Sequence, residues 1–145
     1  MESLHFLLMK SDSLLRRRIS AEAAKIGLSP GQPKILDYLS RREGSDQKTI
    51  ASYCEIEQAT CGSILLRMEQ ADLIERRQAE GNRRSLFVYL TEKGRSAAGQ
   101  MRIIFEEAER EALSALDAES AALLMRSLQA ICARLKGKKG ENTND

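Results

Sequence analysis

At 145 residues, with 42% hydrophobic and 30% charged residues, the chain is long enough for one ordinary domain with a real core, and its composition excludes disorder as the default state. Its 23 basic and 21 acidic residues leave a net charge of only +2, so total charge does not mark a polyanion-binding protein and the distribution of charge has to be read instead. The three cysteines, Cys54, Cys61 and Cys132, lack C-x-x-C or Cys/His spacing and so give neither a disulfide framework nor a zinc site.

The first residues, "MESLHFLLMKSDSLL", are acidic at the start and broken by Lys10 and Asp12, unlike a signal peptide. No stretch reaches the roughly 18 apolar residues of a membrane span. The expectation is a soluble, cytoplasmic protein without a membrane partner. From Leu4 to Ile26 there is no Gly or Pro, and Leu4, Leu8, Leu15, Ile19 and Ile26 recur on one face of a long helix. Gly27 stops it, and Ser29 or a neighbour caps a second helix that has Pro33 in its first turn and Ile35, Leu36 and Leu39 facing inward.

Gly44 and Ser45 break that pattern. Two short helices follow around a tight turn: Ile50, Ala51 and Cys54 form one apolar face, Cys61, Ile64, Leu65 and Met68 the other, and Ile56 stands at the corner. From Ile74 the period changes to two, with Leu86, Val88 and Leu90 on one side and Phe87 and Tyr89 on the other. Glu80-Gly81-Asn82 is a hairpin turn signal. Thr91 caps a further helix bearing Ile104, Ala108 and Ala112. Asp117 begins a last one, in which Leu124, Leu128, Ile131 and Leu135 make a seam suited to another helix. The polar tail from Lys136 reads as frayed.

Between Leu73 and Arg95, Arg76, Arg77, Arg83, Arg84, Lys93 and Arg95 exceed Glu75, Glu80 and Glu92 by three charges, so positive charge is concentrated around the hairpin. Helix, turn, helix and an arginine-tipped hairpin outline a winged helix-turn-helix. The fold class expected is mainly α with a two-stranded β wing, a winged helix-turn-helix flanked by long terminal helices. Residues near the start of the second short helix, Gln58, Ala59, Thr60, Gly62 and Ser63, are those able to reach base edges in a major groove. There Gln58 suits adenine, Ala59 or Thr60 suits a thymine methyl, and Gly62 permits close backbone approach. Arg67, a turn later, is placed for phosphate.

Over nearly its whole length the sequence resembles the MarR family of transcriptional regulators. The resemblance rests on "LSPGQPKIL", on "KTIASYCEIEQATCGSILLRMEQADLIERR" and most specifically on "GNRRSLFVYLTEKG", where the family has an Asp-x-Arg wing tip followed by a strand and Leu-Thr-x-x-Gly. Two positions depart from the pattern. Asn82 replaces the usual Asp of the wing, removing an ion pair, and Asp72 replaces the usual Gly after the recognition helix.

The resemblance implies that Arg84 is the minor-groove arginine, with Arg76, Arg77 and Arg83 neutralising phosphates and Asn82 beside them. It also implies a homodimer, a pseudo-palindromic operator in double-stranded DNA and a small-molecule effector that relieves repression. Residues 28–95 would form the DNA-binding lobe, 1–27 and 96–137 the dimerisation helices and 138–145 a flexible tail. Candidate effector contacts are the junctions of the first, second and fifth helices, and a carboxylate could reach the Arg16–Arg18 run. No ligand-binding residue is assigned.

Simpler readings apply elsewhere. Cys54, Cys61 and Cys132 suit packing better than redox sensing, and His5 has no ligand cluster. With no Gly-rich phosphate loop, nucleophile motif or histidine available as a base, neither an enzyme nor a cofactor is indicated. The rival functions are a winged-helix protein-interaction module and a cysteine-based redox regulator.

Overall fold

The computed structural model describes residues 1–137, without the side chains of residues 82–84. The tail expected at 138–145 therefore lies outside the described residues. The order of elements is α1 (Leu4–Lys25), α2 (Gln32–Arg41), β1 (Ser45–Asp46), α3 (Gln47–Tyr53), α4 (Gln58–Gln70), β2 (Ile74–Ala79), β3 (Asn82–Leu90), α5 (Glu92–Leu113) and α6 (Ala118–Lys136). Two compact units divide the chain, Met1–Ala108 and Glu109–Asp145.

Local chemistry fixes most helix ends. The Ser3 hydroxyl accepts the Phe6 amide at the start of α1, and Gly27, at φ 81°, ends the helix. Of the cap expected at Ser29 or a neighbour, the position before α2 falls to Gly31, left-handed at φ 88° and without a side-chain hydrogen bond. Ser29 instead closes the turn, its amide donating to Gln32 Oε1 at 3.1 Å and its carbonyl accepting the Gln32 amide at 3.2 Å. Pro33 lies in the first turn, where its missing N–H is not needed.

Asp46 caps α3 through the Thr49 amide at 2.8 Å, and that hydrogen bond holds its carboxyl below the usual carboxylate range. Asp117 caps α6 through the Ser120 amide with the same effect. Asp72, in the position where a glycine is usual, is left-handed at φ 59°, and Glu55 in the turn between α3 and α4 is left-handed at φ 54°.

The first unit is built on one core. Ile35, Leu36 and Leu39 of α2, Ile50 and Ala51 of α3, and Cys61, Leu65 and Met68 of α4 are buried together with Ile74, Val88, Leu90 and Met101. Full burial of a Leu or Ile contributes about 1.5–3 kcal/mol, so these positions, spaced as the helical and alternating patterns require, hold the helix-turn-helix against the sheet.

The sheet is antiparallel in the order β1-β3-β2. The wing is the hairpin of β2 and β3, with Ile74 opposite Leu90, Arg76 opposite Val88 and Arg77 opposite Phe87. Beyond the two strands expected, the two-residue β1 pairs Ser45 with Val88 and Asp46 with Phe87. A dipeptide strand has no period of its own to read and exists through its partner. Glu80 and Gly81 turn the hairpin, with Gly81 at φ 79°. In the second unit α6 has no buried residue, and Leu124 and Leu135 of the expected seam are exposed.

Candidate nucleic-acid interface

Helix α4 turns Cys61, Ile64, Leu65 and Met68 inward, which leaves Gln58, Ala59, Thr60, Ser63 and Arg67 exposed and Gly62 half-buried. The structure thus brings the proposed base-reading residues onto one accessible face. The Ser63 hydroxyl donates to the Ala59 carbonyl at 3.2 Å, which leaves its oxygen free to accept. Leu66, which the sequence reading passes over, is 50% exposed on this helix. Its signal was present, since it falls outside the 61-64-65-68 spacing of the buried side. An exposed aliphatic group there suits a thymine methyl.

The wing arginines do not form one open patch. Arg76 has the parity of Ile74 and lies opposite Val88, so its side chain turns toward α4 and is only 19% exposed. Its Nε is buried without a hydrogen bond, 3.5 Å from Glu69 Oε2 of the recognition helix. Arg77, on the other face, donates from Nε to Glu75 Oε1 at 2.8 Å and stacks on the Tyr89 ring at 4.2 Å. The side chains of Asn82, Arg83 and Arg84 lie outside the described residues.

A set of polar contacts ties the end of α4 to the base of the wing. The Thr91 hydroxyl donates to the Asp72 carbonyl at 2.6 Å and accepts the Gly94 amide at 2.9 Å, while the Thr91 amide donates to the Leu73 carbonyl at 3.1 Å. Lys93 Nζ donates to the Ala71 carbonyl at 2.8 Å, covering the C-terminus of α4. Glu43 accepts the Leu90 amide and Arg95 Nη2, both at 3.0 Å. These contacts give the Leu-Thr-x-x-Gly segment its function here: it joins the recognition helix, the wing and α5.

Cys54 and Cys61 are buried, their thiols facing the Lys34 carbonyl at 3.7 Å and the Gln47 carbonyl at 4.0 Å. Burial pushes the Cys54 thiol up to about 11 and raises that of Cys61, so neither is a reactive thiolate at neutral pH. Titration with a disulfide reagent at pH 7.5 is expected to consume no more than one thiol per chain before denaturant is added. Rapid reaction of two or three would contradict the packing role. Among the described residues, no group of three or more His, Cys, Asp or Glu is placed to hold a metal, and no helix is long and apolar enough to cross a membrane.

A cavity of about 680 Å³ opens in the first unit among α1, the turn before α2 and Phe105 of α5. Arg16, Arg17 and Lys34 supply its positive charge, and Pro30, Pro33 and Phe105 supply apolar wall. Arg16 is held by Asp12 at 2.7 Å.

The model of the MarR family, a family of transcriptional regulators, matches residues 28–86 of this chain. The HTH-type transcriptional repressor Rv2887 of Mycobacterium tuberculosis is 26% identical over 115 residues, covering 79% of this chain and 83% of that protein. The structure of Rv2887 in complex with salicylic acid superposes with a TM-score of 0.74 at 24% identity, covering 90% of this chain and 97% of the other. The S. aureus MepR–DNA complex gives a TM-score of 0.84 at 20% identity, over 92% and 99%.

Proposed function

We propose that the protein is a homodimeric, sequence-specific DNA-binding repressor that releases its operator on binding a small anionic molecule. The observation that carries this reading is the outward face of α4, where small and polar side chains stand exposed over a fully packed inner face. A helix offering Gln58, Ala59, Thr60 and Ser63 at its N-terminal end can enter a major groove without steric obstruction. Arg67 beside it and Arg83 and Arg84 on the wing supply the charge for phosphate and minor groove. Arg77 joins them on exchanging Glu75 for phosphate, and Arg76 supports from within. Residues 28–95 act as the DNA-binding lobe.

Pairing falls to residues 1–27 and 96–137. Leu4, Leu7, Leu8 and Met9 of α1 are exposed, as are Leu123, Leu124 and Met125 of α6, and apolar surface of this kind is covered by a partner in a stable protein. Two-fold pairing sets two recognition helices one DNA turn apart, about 34 Å, and makes the operator pseudo-palindromic.

The cavity beside α1 and α2 is the effector site in this reading. Its apolar wall and its cations suit a small aromatic carboxylate, the class to which the salicylic acid bound by Rv2887 belongs. Such a ligand relieves repression only through different affinity for the DNA-competent and incompetent states. No catalytic activity is part of this function, and the protein works in the cytoplasm, where its DNA is.

Replacing Arg84 by Ala is expected to weaken operator binding by about 1–3 kcal/mol, the value of a base-edge contact, with thermal stability retained. Electrophoretic mobility shift on the protein's own upstream DNA measures this. Unchanged affinity would remove Arg84 from the interface.

A further inference from the structure

The sequence assigns Gly62 to DNA, as a place where a backbone could approach closely. The structure shows another neighbour. A Cβ built at Gly62 would stand 2.9 Å from the side-chain nitrogen of Gln47, and 3.5 and 3.6 Å from the carbon and oxygen of the same amide. That nitrogen, Nε2, donates to the carbonyl of Gln58 at 3.0 Å. Gln47 therefore reaches from the first position of α3 to the first turn of α4, and the bare Cα of Gly62 makes room for its amide.

We infer that Gln47 is a positioning residue for DNA recognition: its amide, seated over Gly62, pins the first turn of the recognition helix. Three features support this assignment. The hydrogen bond ends on the peptide of Gln58, the first of the base-reading positions. The helix has no side-chain cap of its own at Glu57, so its first turn gains an anchor from α3. The Gln47 backbone also contributes, since its carbonyl faces Cys61 Sγ on the buried side of the same turn. Gln47 thus holds that turn from two sides. Glycine inside a helix is otherwise unfavourable relative to alanine, and the seat for this amide accounts for its presence.

The inference rests on the DNA-binding reading for its function, and on the α3–α4 contact alone for its geometry. Two measurements keep these separate. The first uses the duplex that the wild-type protein selects from a random pool, with a shuffled duplex as control. Gln47→Met, similar in volume but unable to donate, should bind the selected duplex roughly three- to tenfold more weakly, the value of one neutral hydrogen bond. Affinity for the shuffled duplex should stay as in the wild type, and the thermal midpoint should fall by no more than the few degrees that one hydrogen bond contributes.

Gly62→Ala should show a similar loss, because the new methyl evicts the Gln47 amide. Its stability should be held or raised, since the displaced group is the end of a flexible side chain and alanine favours the helix. In Gln47→Met, Gly62→Ala should cost little more. A full additional loss there would mean that Gly62 faces DNA independently and would overturn the inference. Equal losses on both duplexes, or wild-type binding by Gln47→Met, would overturn it as well.

The second measurement needs no DNA. Amide hydrogen exchange in Gln47→Met should quicken about three- to tenfold at Cys61 and Gly62, with Leu39 of α2 unchanged. Unchanged exchange at Cys61 and Gly62 would refute the anchor. If the wild type selects no duplex at all, the DNA-binding reading fails and this second measurement still decides whether Gln47 holds α4.

Discussion

Gly94→Ala is expected to lower the unfolding free energy by about 3 kcal/mol, the upper end of the cost of overpacking. A Cβ at Gly94 would lie 1.9 Å from the Leu73 carbonyl oxygen and 3.0 Å from its carbon, and both are backbone atoms that no rotamer change can move. The same oxygen accepts the Thr91 amide at 3.1 Å, and Thr91 in turn holds Asp72 and Gly94. Relief of the clash would therefore break the joint between α4, the wing and α5. Urea denaturation at one fixed chain concentration measures the loss, with concentration held constant because a dimer's stability depends on it. An unchanged midpoint would show that α5 does not approach Leu73 as described.

The second large effect is at Leu65, which is fully buried on the inner face of α4. Leu65→Ala removes three heavy atoms from a core bounded by α2, α3 and the sheet, and should cost about 2–5 kcal/mol depending on how far the site collapses. Its signature differs from that of Gln47→Met. Stability falls while the outward residues keep their identities, so DNA affinity should fall only with the fraction folded. A loss below about 1 kcal/mol would place Leu65 outside the core.

Much of this was legible in the sequence because it depends on local period. The turn at Gly27, the inward faces of α2, α3 and α4, the alternation from Leu86 to Leu90 and the Thr91 and Asp117 caps each follow from a few neighbouring residues. The elements that escaped depend on contacts between residues far apart in sequence. Strand β1 exists only against Val88 and Phe87.

The candidate site divides in the same way. The outward set on α4 follows from helical spacing, and Leu66 could have been added on the same grounds. The inward turn of Arg76 was also available, since it shares the parity of Ile74, but the expectation grouped the arginines by charge rather than by face. The link between Gln47 and Gly62 spans 15 positions and crosses from one helix to the next. No local pattern encodes it.

The central claim is that α4 and the wing read duplex DNA by sequence. Fluorescence anisotropy with DNA from immediately upstream of the gene, against a shuffled duplex and across salt concentrations, tests it most directly. The account predicts tight binding to the native duplex alone, with a log–log salt slope of about −3 to −4 per half-site. Weak binding, equal for both duplexes and for duplexes selected from a random pool, would contradict it and point to an acidic protein surface as the partner of the wing.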